Sequence, residues 1–384
     1  MEETILRINQ LFKEKFEGDP VGIWSPGRIN LIGEHIDYND GFVMPGAIDK
    51  GVYFAIALNG TDHLNFYSVD FEENLRIKIT DIKKSEGWKN YVLGVVNEFR
   101  KLGKEIQGFD CVFGGNIANG AGISSSAAVE GGMSFSINEL MNFNLNRKEL
   151  ALLGQRAEHH YPGVMCGIMD QYANMHGQKD HVMLLDCQSI THHYLPFNLV
   201  DSTLILINTK VHHTLASSAY NERRQQCEKG LKIMQENKEI HSFRDISDPK
   251  MLLPFKEEMG EIVYQRCLYV VEEILRTKKA ATFLENNDIN QFGKLMFQTH
   301  EGLRNLYNVS CRELDFLVDY ASKNEMVIGA RLMGGGFGGC TINIIKNNGK
   351  EEFLKEIATA YENTFHITPE IYNVKIMDGT HRIS

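Results

Sequence analysis

The chain has 384 residues and a mass of 43.6 kDa, with 43% hydrophobic and 23% charged residues, a globular profile that excludes disorder as its main state and suggests two or three domains. Forty Lys and Arg against fifty Asp and Glu leave a formal charge of −10, so no basic field draws the surface to nucleic acid or anionic lipid, and any bound phosphate must be held by local geometry. No uncharged apolar run is long enough to span a bilayer, and cysteines at 111, 166, 187, 227, 267, 311 and 340 form no Cys-x-x-Cys pair, which reads as reduced thiols in a cytoplasm.

The start, MEETILRINQLFKEKFEGD, places Ile5, Ile8, Phe12 and Phe16 at helical spacing among charges, predicting an amphipathic helix and no signal peptide. Residues 20–80 have strand character, clearest at 52–58 (VYFAIAL) and 75–79 (LRIKI). A helix follows over 90–102. Phe109, Cys111 and Phe113 alternate as a strand, a glycine-rich turn intervenes, and Val129, Met133, Ile137 and Leu140 recur at helical spacing. A helix over 147–160 is stopped by Pro162 and Gly163, and 182–185 and 203–207 are short apolar strands. Helical patterns fill 218–323, and the tail returns to strand (340–345), helix (351–365) and strand (371–376). With no repeat and no low-complexity linker, this is an α+β chain whose two domains meet near residues 180–200 and share an interface.

The common nucleotide motifs are missing. No Gly-Lys is followed by Ser or Thr, so there is no Walker A loop. Gly334, Gly336 and Gly339 fit G-x-G-x-x-G, but the CTINII that follows reads as a strand where a dinucleotide fingerprint opens a helix. Asp37, Asn39 and Gly41 begin like an EF-hand loop, with Phe42 where glycine is needed.

What remains is GGNIANGAGISSSAA at 114–128. Gly120 and Gly122 let a backbone approach a ligand closely, and Ser124, Ser125 and Ser126 lead into a helix whose free N–H groups and dipole favour an anion. A lone loop of this kind is more often a serine-capped helix. Here it has company: SPGRINLIGEHIDYNDGFVMPGAI at 25–48 crowds Arg28, Glu34, His35, Asp37 and Asp40 among glycines and prolines. Carboxylates and an imidazole so placed suit directional hydrogen bonds to a polyhydroxylated ligand, although His35 alone would be an ordinary surface or core histidine.

The segment GRINLIGEHIDY (27–38) resembles the galactokinase signature, the 120–128 loop resembles the second motif of the wider GHMP kinase superfamily, and GARLMGGGFGGCT (329–341) its third. GIMDQ (167–171) and SSAYNERR (217–224) are similar to further galactokinase segments, so the likeness spans most of the chain and is weakest over 230–320. The resemblance implies an α+β, two-domain GHMP kinase fold: a mixed-sheet N-terminal domain (1–190), a ferredoxin-like α+β C-terminal domain (191–384), and an active site in the interdomain cleft. It implies transfer of the γ-phosphoryl group of ATP to the anomeric C1 hydroxyl of galactose. A kinase of N-acetylgalactosamine or another sugar, and a non-catalytic sugar sensor on the same fold, are the alternatives.

Site roles follow from the resemblance. Asp170 is the implied catalytic carboxylate and Arg28 its cationic partner; because a free aspartate has a pKa of about 3.9, position counts as much as basicity. Glu34, His35, Asp37, Gly167, Asp170 and Tyr220 are implied sugar contacts. Gly120, Gly122, Ser124, Ser125 and Ser126, with Trp88 and Tyr91, are implied to surround ATP, and Ser126 and Glu158 to hold Mg2+. Read as residues alone, Asp170 is equally a helix-start aspartate, Glu158 a surface glutamate, and Trp88 and Tyr91 core aromatics three apart on a helix. The expected partners are galactose and ATP, with no nucleic acid or membrane, and a monomer is expected.

Overall fold

A computed structural model of the chain describes residues 2–117, 122–211, 216–237 and 239–383. The first half runs α1 (Glu2–Lys15), β1 (Val21–Asn30), β2 (Phe42–Val43), β3 (Pro45–Leu58), β4 (His63–Ser68), β5 (Glu73–Lys78), α2 (Lys89–Lys101), β6 (Phe109–Gly115), α3 (Ser125–Leu140), α4 (Arg147–His160), α5 (Met169–His176), β7 (His181–Asp186) and β8 (Thr191–Pro196). The second half runs β9 (Ser202–Asn208), α6 (Ala216–Asn237), α7 (Lys256–Glu285), α8 (Ile289–Gly302), α9 (Arg312–Ala321), β10 (Val327–Leu332), β11 (Cys340–Lys346), α10 (Lys350–Phe365), β12 (Glu370–Asn373) and β13 (His381–Ile383).

The first sheet has the order β13-β1-β3-β6-β4-β5, antiparallel except for the parallel β4–β6 pair, and so is mixed as expected. Its two faces are both covered, as the almost unbroken burial of β1 and β3 requires. On one face α1 seats Ile8 and Phe12 against Trp24, Tyr53 and Val112. On the other, α2 to α5 pack over Phe54, Phe66, Phe109 and Phe113. The second large sheet, β10-β11-β9-β12, is antiparallel throughout. Numbered within its own domain that order is 2-3-1-4, the ferredoxin-like arrangement, with α6 to α9 filling the excursion between its first and second strands. Phe353, Ile357 and Tyr361 of α10 and Leu317 of α9 cover one face. A further cluster joins Ile29, Leu31 and Ile32 of the first half to Phe292, Ile342 and Ile344 of the second, so the halves share a core.

Two expectations need correction. A boundary at 190/191 falls in the turn of the β7–β8 hairpin, and β13 pairs with β1, so no single cut separates the sheets: the chain's end returns to complete the first one. The strand expected over 371–376 is ordered only as β12. Beyond it the Val374 N–H still donates to the Leu204 carbonyl of β9 at 3.2 Å, and Ile376 makes an isolated bridge to Ile48.

Glycines 131 and 132 explain how α3 reaches its place. A Cβ at Gly132 would lie 2.1 Å from Cε2 of Phe54, and one at Gly131 would lie 1.9 Å from Oδ1 of Asn174. The helix therefore lies on β3 and α5 at a distance only glycine permits, which brings its N-terminus beside the start of α5. Gly132→Ala is expected to lower stability by about 1–3 kcal/mol despite alanine's better helix propensity, because the buried clash exceeds the propensity gain of about 1 kcal/mol; urea unfolding of the two proteins checks this.

Candidate active site

One pocket is walled by the end of β1 with the loop after it, the end of α4, the start of α5, α6 and the glycine-rich turn between β10 and β11, and the N-terminus of α3 reaches it through Ser124. The pocket measures about 510 Å³ counting its open mouth, and Arg28, Glu34, His35, Asp37, Glu158, Asp170 and Tyr220 are among its walls. Seven residues named from the sequence are thus brought together.

At its floor Arg28 and Asp170 form a two-pronged ion pair, Nε to Oδ1 at 2.8 Å and Nη2 to Oδ2 at 2.9 Å. This is the geometry in which guanidinium and carboxylate are held most firmly. Nη1 of Arg28 donates to the Gly122 carbonyl at 2.7 Å, tying the pair to the glycine-serine loop. Burial alone would lower the Arg28 pKa, but Asp170, Glu34 and Asp37 outweigh it and carry the value above normal, so the guanidinium stays charged. The Ser124 hydroxyl donates to Oδ2 of Asp170. Ser124 holds φ 59° and ψ 55° as the residue capping α3, a left-handed conformation unfavourable for serine by about 1–2 kcal/mol; its hydroxyl reaches Asp170 from that position.

Above the ion pair lies a group of desolvated carboxyls. Asp37, in a short 3₁₀ turn, accepts the backbone N–H groups of Met169 and Tyr38, yet burial first, then the charges of Asp170 and Glu34, push its pKa up to about 7. Gly167 leaves room for it: a Cβ there would lie 2.1 Å from Asp37 Oδ2. Burial and the Asp170 charge also raise Glu158 to about 7. Glu158 shares the Gln171 amide, at 2.7 Å, with fully buried Glu130, at 3.1 Å, whose own pKa burial and Glu158 lift well above normal. Oε1 of Glu34 accepts from Nη2 of Arg331 at 3.1 Å and from the Gly334 N–H at 2.8 Å.

His35 also has a left-handed backbone, φ 61°. Its Nδ1 lies 2.7 Å from the Tyr38 hydroxyl and its Nε2 3.1 Å from the Gly335 carbonyl. Burial lowers its pKa to about 4, so near neutral pH it is an uncharged ring, both of whose nitrogens are engaged within the protein. Tyr220, on α6, lies over it with ring centroids 5.1 Å apart.

The remaining positions divide. Gly122 and Gly334 pack backbone to backbone, a Cβ on Gly334 lying 3.1 Å from the Gly122 carbonyl oxygen; the third glycine run does rest on the serine loop. Ser125 and Ser126 open α3, while Gly120 lies outside the described residues. Trp88 is 7% exposed, packs edge-on to Phe113 at 5.3 Å, and donates its indole N–H to Glu73 at 3.1 Å, which places it in the core of the first domain. Tyr91 is half-buried, and burial together with Glu158 and Glu130 raises its pKa. Neither aromatic is among the residues around Asp170. Sequence reasoning missed Arg331, Glu130 and Gln171, although a charged residue inside an apolar strand or a helix of small residues was an available signal.

Removing the buried acid at position 37 tests the electrostatics. A carboxyl whose folded pKa stands near 7 rather than 3.8 binds more protons folded than unfolded, so its contribution to stability declines as pH rises through that window. Asp37→Asn lacks this term. Without ligands, its Tm relative to the parent should rise between pH 5 and pH 8; a pH-independent difference would show that Asp37 ionises normally.

Comparison with known proteins agrees with this geometry. The chain matches the galactokinase galactose-binding signature over residues 10–58, the GHMP kinases N terminal domain over 90–178 and the GHMP kinases C terminal domain over 280–363. It is 38% identical over 388 residues to a galactokinase of Clostridium acetobutylicum, covering 98% of each chain, and 38% identical over 361 residues to one of Thermosipho africanus, covering 94% of this chain and 99% of that one. The crystal structure of Lactococcus lactis galactokinase complexed with galactose superposes with a TM-score of 0.95 at 32% identity, over 98% of this chain and 99% of that one. A mevalonate kinase structure at 22% identity and TM-score 0.65 shares the fold. With the Arg28–Asp170 pair, the serine loop and the three motifs set in one cleft, the chain belongs to the galactokinase family of GHMP kinases and is a sugar kinase.

Proposed function

We infer that this chain transfers the γ-phosphoryl group of ATP to the C1 hydroxyl of galactose, with Asp170 as the catalytic carboxylate. The observation that carries the reading is the position of Asp170, clamped by Arg28 and Ser124 at the floor of a pocket walled by Glu34, His35 and Asp37. Phosphoryl transfer passes through a loose transition state, so placement and charge compensation supply most of the catalysis. Asp170 accepts the hydrogen bond of the C1 hydroxyl, aims its oxygen at the phosphorus and takes its proton as the new bond forms. Arg28 holds that carboxylate in place through two hydrogen bonds and offsets charge on the group in transfer. The N–H groups at the start of α3 face the phosphates, as helix N-termini favour.

Asp37 and Glu34 are acceptors placed for sugar hydroxyls, with Gly167 making the room and Tyr220 closing the pocket over His35. The galactose held by the Lactococcus lactis structure supports galactose over other sugars. A non-catalytic sensor has no need of the Arg28–Asp170–Ser124 clamp.

Ser126 and Glu158 fit a magnesium ion. The Ser126 hydroxyl lies beside the Glu158 carboxylate and lowers its pKa against the effect of burial, so two hard oxygen donors adjoin. Among the described residues no group of three His, Cys, Asp or Glu is arranged to hold a metal, and magnesium suits so sparse a set because it keeps several waters and takes phosphate oxygens. When bound there, the ion supplies charge neutralisation for the phosphates. We further place the enzyme in the cytoplasm, where seven free thiols suit a reducing compartment, and take it as a monomer.

Asp170→Asn should cut kcat by at least 100-fold while galactose binding, measured by calorimetry, stays within a few-fold; turnover near the parent's would remove Asp170 from the reaction. Ser126→Ala should raise the magnesium concentration needed for half-maximal rate several-fold with a smaller change in ATP affinity. An unchanged magnesium titration would leave Ser126 as a helix-opening residue only.

A further inference from the structure

Tyr307 closes a single π-helical turn, Leu303–Tyr307, that ends α8, and it is fully buried. Such turns recur at functional sites because they displace a side chain from its regular position. Its hydroxyl lies 2.9 Å from that of Tyr38 and 3.2 Å from Sγ of Cys227. Tyr38 in turn lies 2.7 Å from Nδ1 of His35, whose Nε2 is 3.1 Å from the Gly335 carbonyl.

One atom fixes the direction of this chain. A carbonyl only accepts, so Nε2 of His35 carries the hydrogen; in a neutral imidazole Nδ1 must then accept, and Tyr38 donates to it. The Tyr38 oxygen accepts from Tyr307, and the Tyr307 oxygen accepts from the Cys227 thiol. Burial keeps that thiol protonated, pushing its pKa to about 12. Every hydrogen bond thus has a single direction, and the relay runs from α6 through the π turn to the glycine loop.

Tyr307 also organises the neighbouring walls. Its carbonyl accepts from Nε of Arg223 at 2.8 Å, and the next carbonyl, Asn308, from Nη2 at 2.9 Å. Arg223 lies three residues beyond Tyr220 on α6, so the helix carrying the pocket's lid is fastened to the same turn. The Tyr307 ring stands 5.0 Å from His35 and 4.7 Å from Tyr269, and the Tyr269 hydroxyl donates to the Glu34 carbonyl at 2.9 Å.

We propose that Tyr307 is a positioning residue for the sugar: acting through Tyr38, it sets the tautomer and ring plane of His35, and with them the wall that His35 and Tyr220 present to the substrate. The proposal rests on reading His35 and Tyr220 as walls of the sugar pocket. Among the described residues, Tyr307 has no hydrogen bond or ring contact with the 114–128 loop or Asp170, so its loss acts on sugar recognition and leaves phosphoryl transfer alone.

Tyr307→Phe keeps the ring and removes one donor and one acceptor. It should raise KM for galactose roughly 5- to 20-fold, the scale of one or two buried hydrogen bonds, with kcat within about twofold and KM for ATP unchanged. Tyr38→Phe should give the same split, which covers the case in which Tyr307→Phe folds poorly. In the parent, ¹⁵N NMR of labelled histidine should show His35 protonated at Nε2, with Nδ1 shifting toward a free pyridine-type nitrogen in Tyr38→Phe. An Nδ1–H tautomer in the parent, or an unchanged galactose KM in both variants, overturns the proposal. So does an equal loss on both substrates, which would mark a structural role. His35→Ala separates the two readings: if it raises galactose KM while the tyrosine variants do not, only the relay fails. If it leaves galactose KM untouched, the pocket assignment fails with it.

Discussion

The cleft depends on a guanidinium that sees no water. Arg331, in β10, is fully buried and donates to the carbonyls of Asn30, Leu31 and Leu332 and to the Glu34 carboxylate. Removing a charge this deep from its partners costs about 3–5 kcal/mol, so the end of β1 and the end of β10 are bound to meet. Because the same Glu34 oxygen takes the Gly334 N–H, the contact that joins the domains also sets the glycine turn. That turn rests on Gly122, and Gly122 receives Arg28. Domain packing, the serine loop and the Arg28–Asp170 pair are one connected set of hydrogen bonds and backbone contacts.

The pocket so formed holds more acid than base. Glu34, Asp37, Glu158 and Asp170 share its walls with Arg28, Glu130 lies buried behind Glu158, and burial plus mutual repulsion drive up the pKa values of Asp37, Glu158 and Glu130. Such a site favours hydroxyl donors and a cation, since either relieves stored repulsion. It does not favour phosphates, whereas the N–H groups at the start of α3 suit an anion. Charge divides the cleft: carboxyls crowd one side, backbone N–H donors open α3, and Arg28 lies between them.

Backbone strain marks the same region. His35 and Ser124 both adopt left-handed conformations, and each spends its side chain on a contact that fixes the site, His35 on the glycine turn and Ser124 on Asp170. Neither is a glycine, so the strain is retained where a hydroxyl or an imidazole is required and cannot be relieved by substitution without losing the group.

The sequence by itself determined the alternation of strands and helices, the three motifs and, through them, the family, along with seven of the residues that surround the pocket. It could do so because these signals are local: periodicity follows from the pitch of a helix or the pleat of a strand, and motif residues lie close together in the chain. Tertiary structure decided what distance in sequence conceals. β13 crosses the chain's whole length to pair with β1; Trp88 packs edge-on to Phe113; Arg331 finds Glu34, Glu130 finds Glu158 through Gln171, and Tyr307 finds Tyr38. Each of these is a buried polar or aromatic partnership between residues tens or hundreds of positions apart. A single sequence states that such a group must be satisfied if it is buried, but not where it is buried or which partner the fold will bring to it.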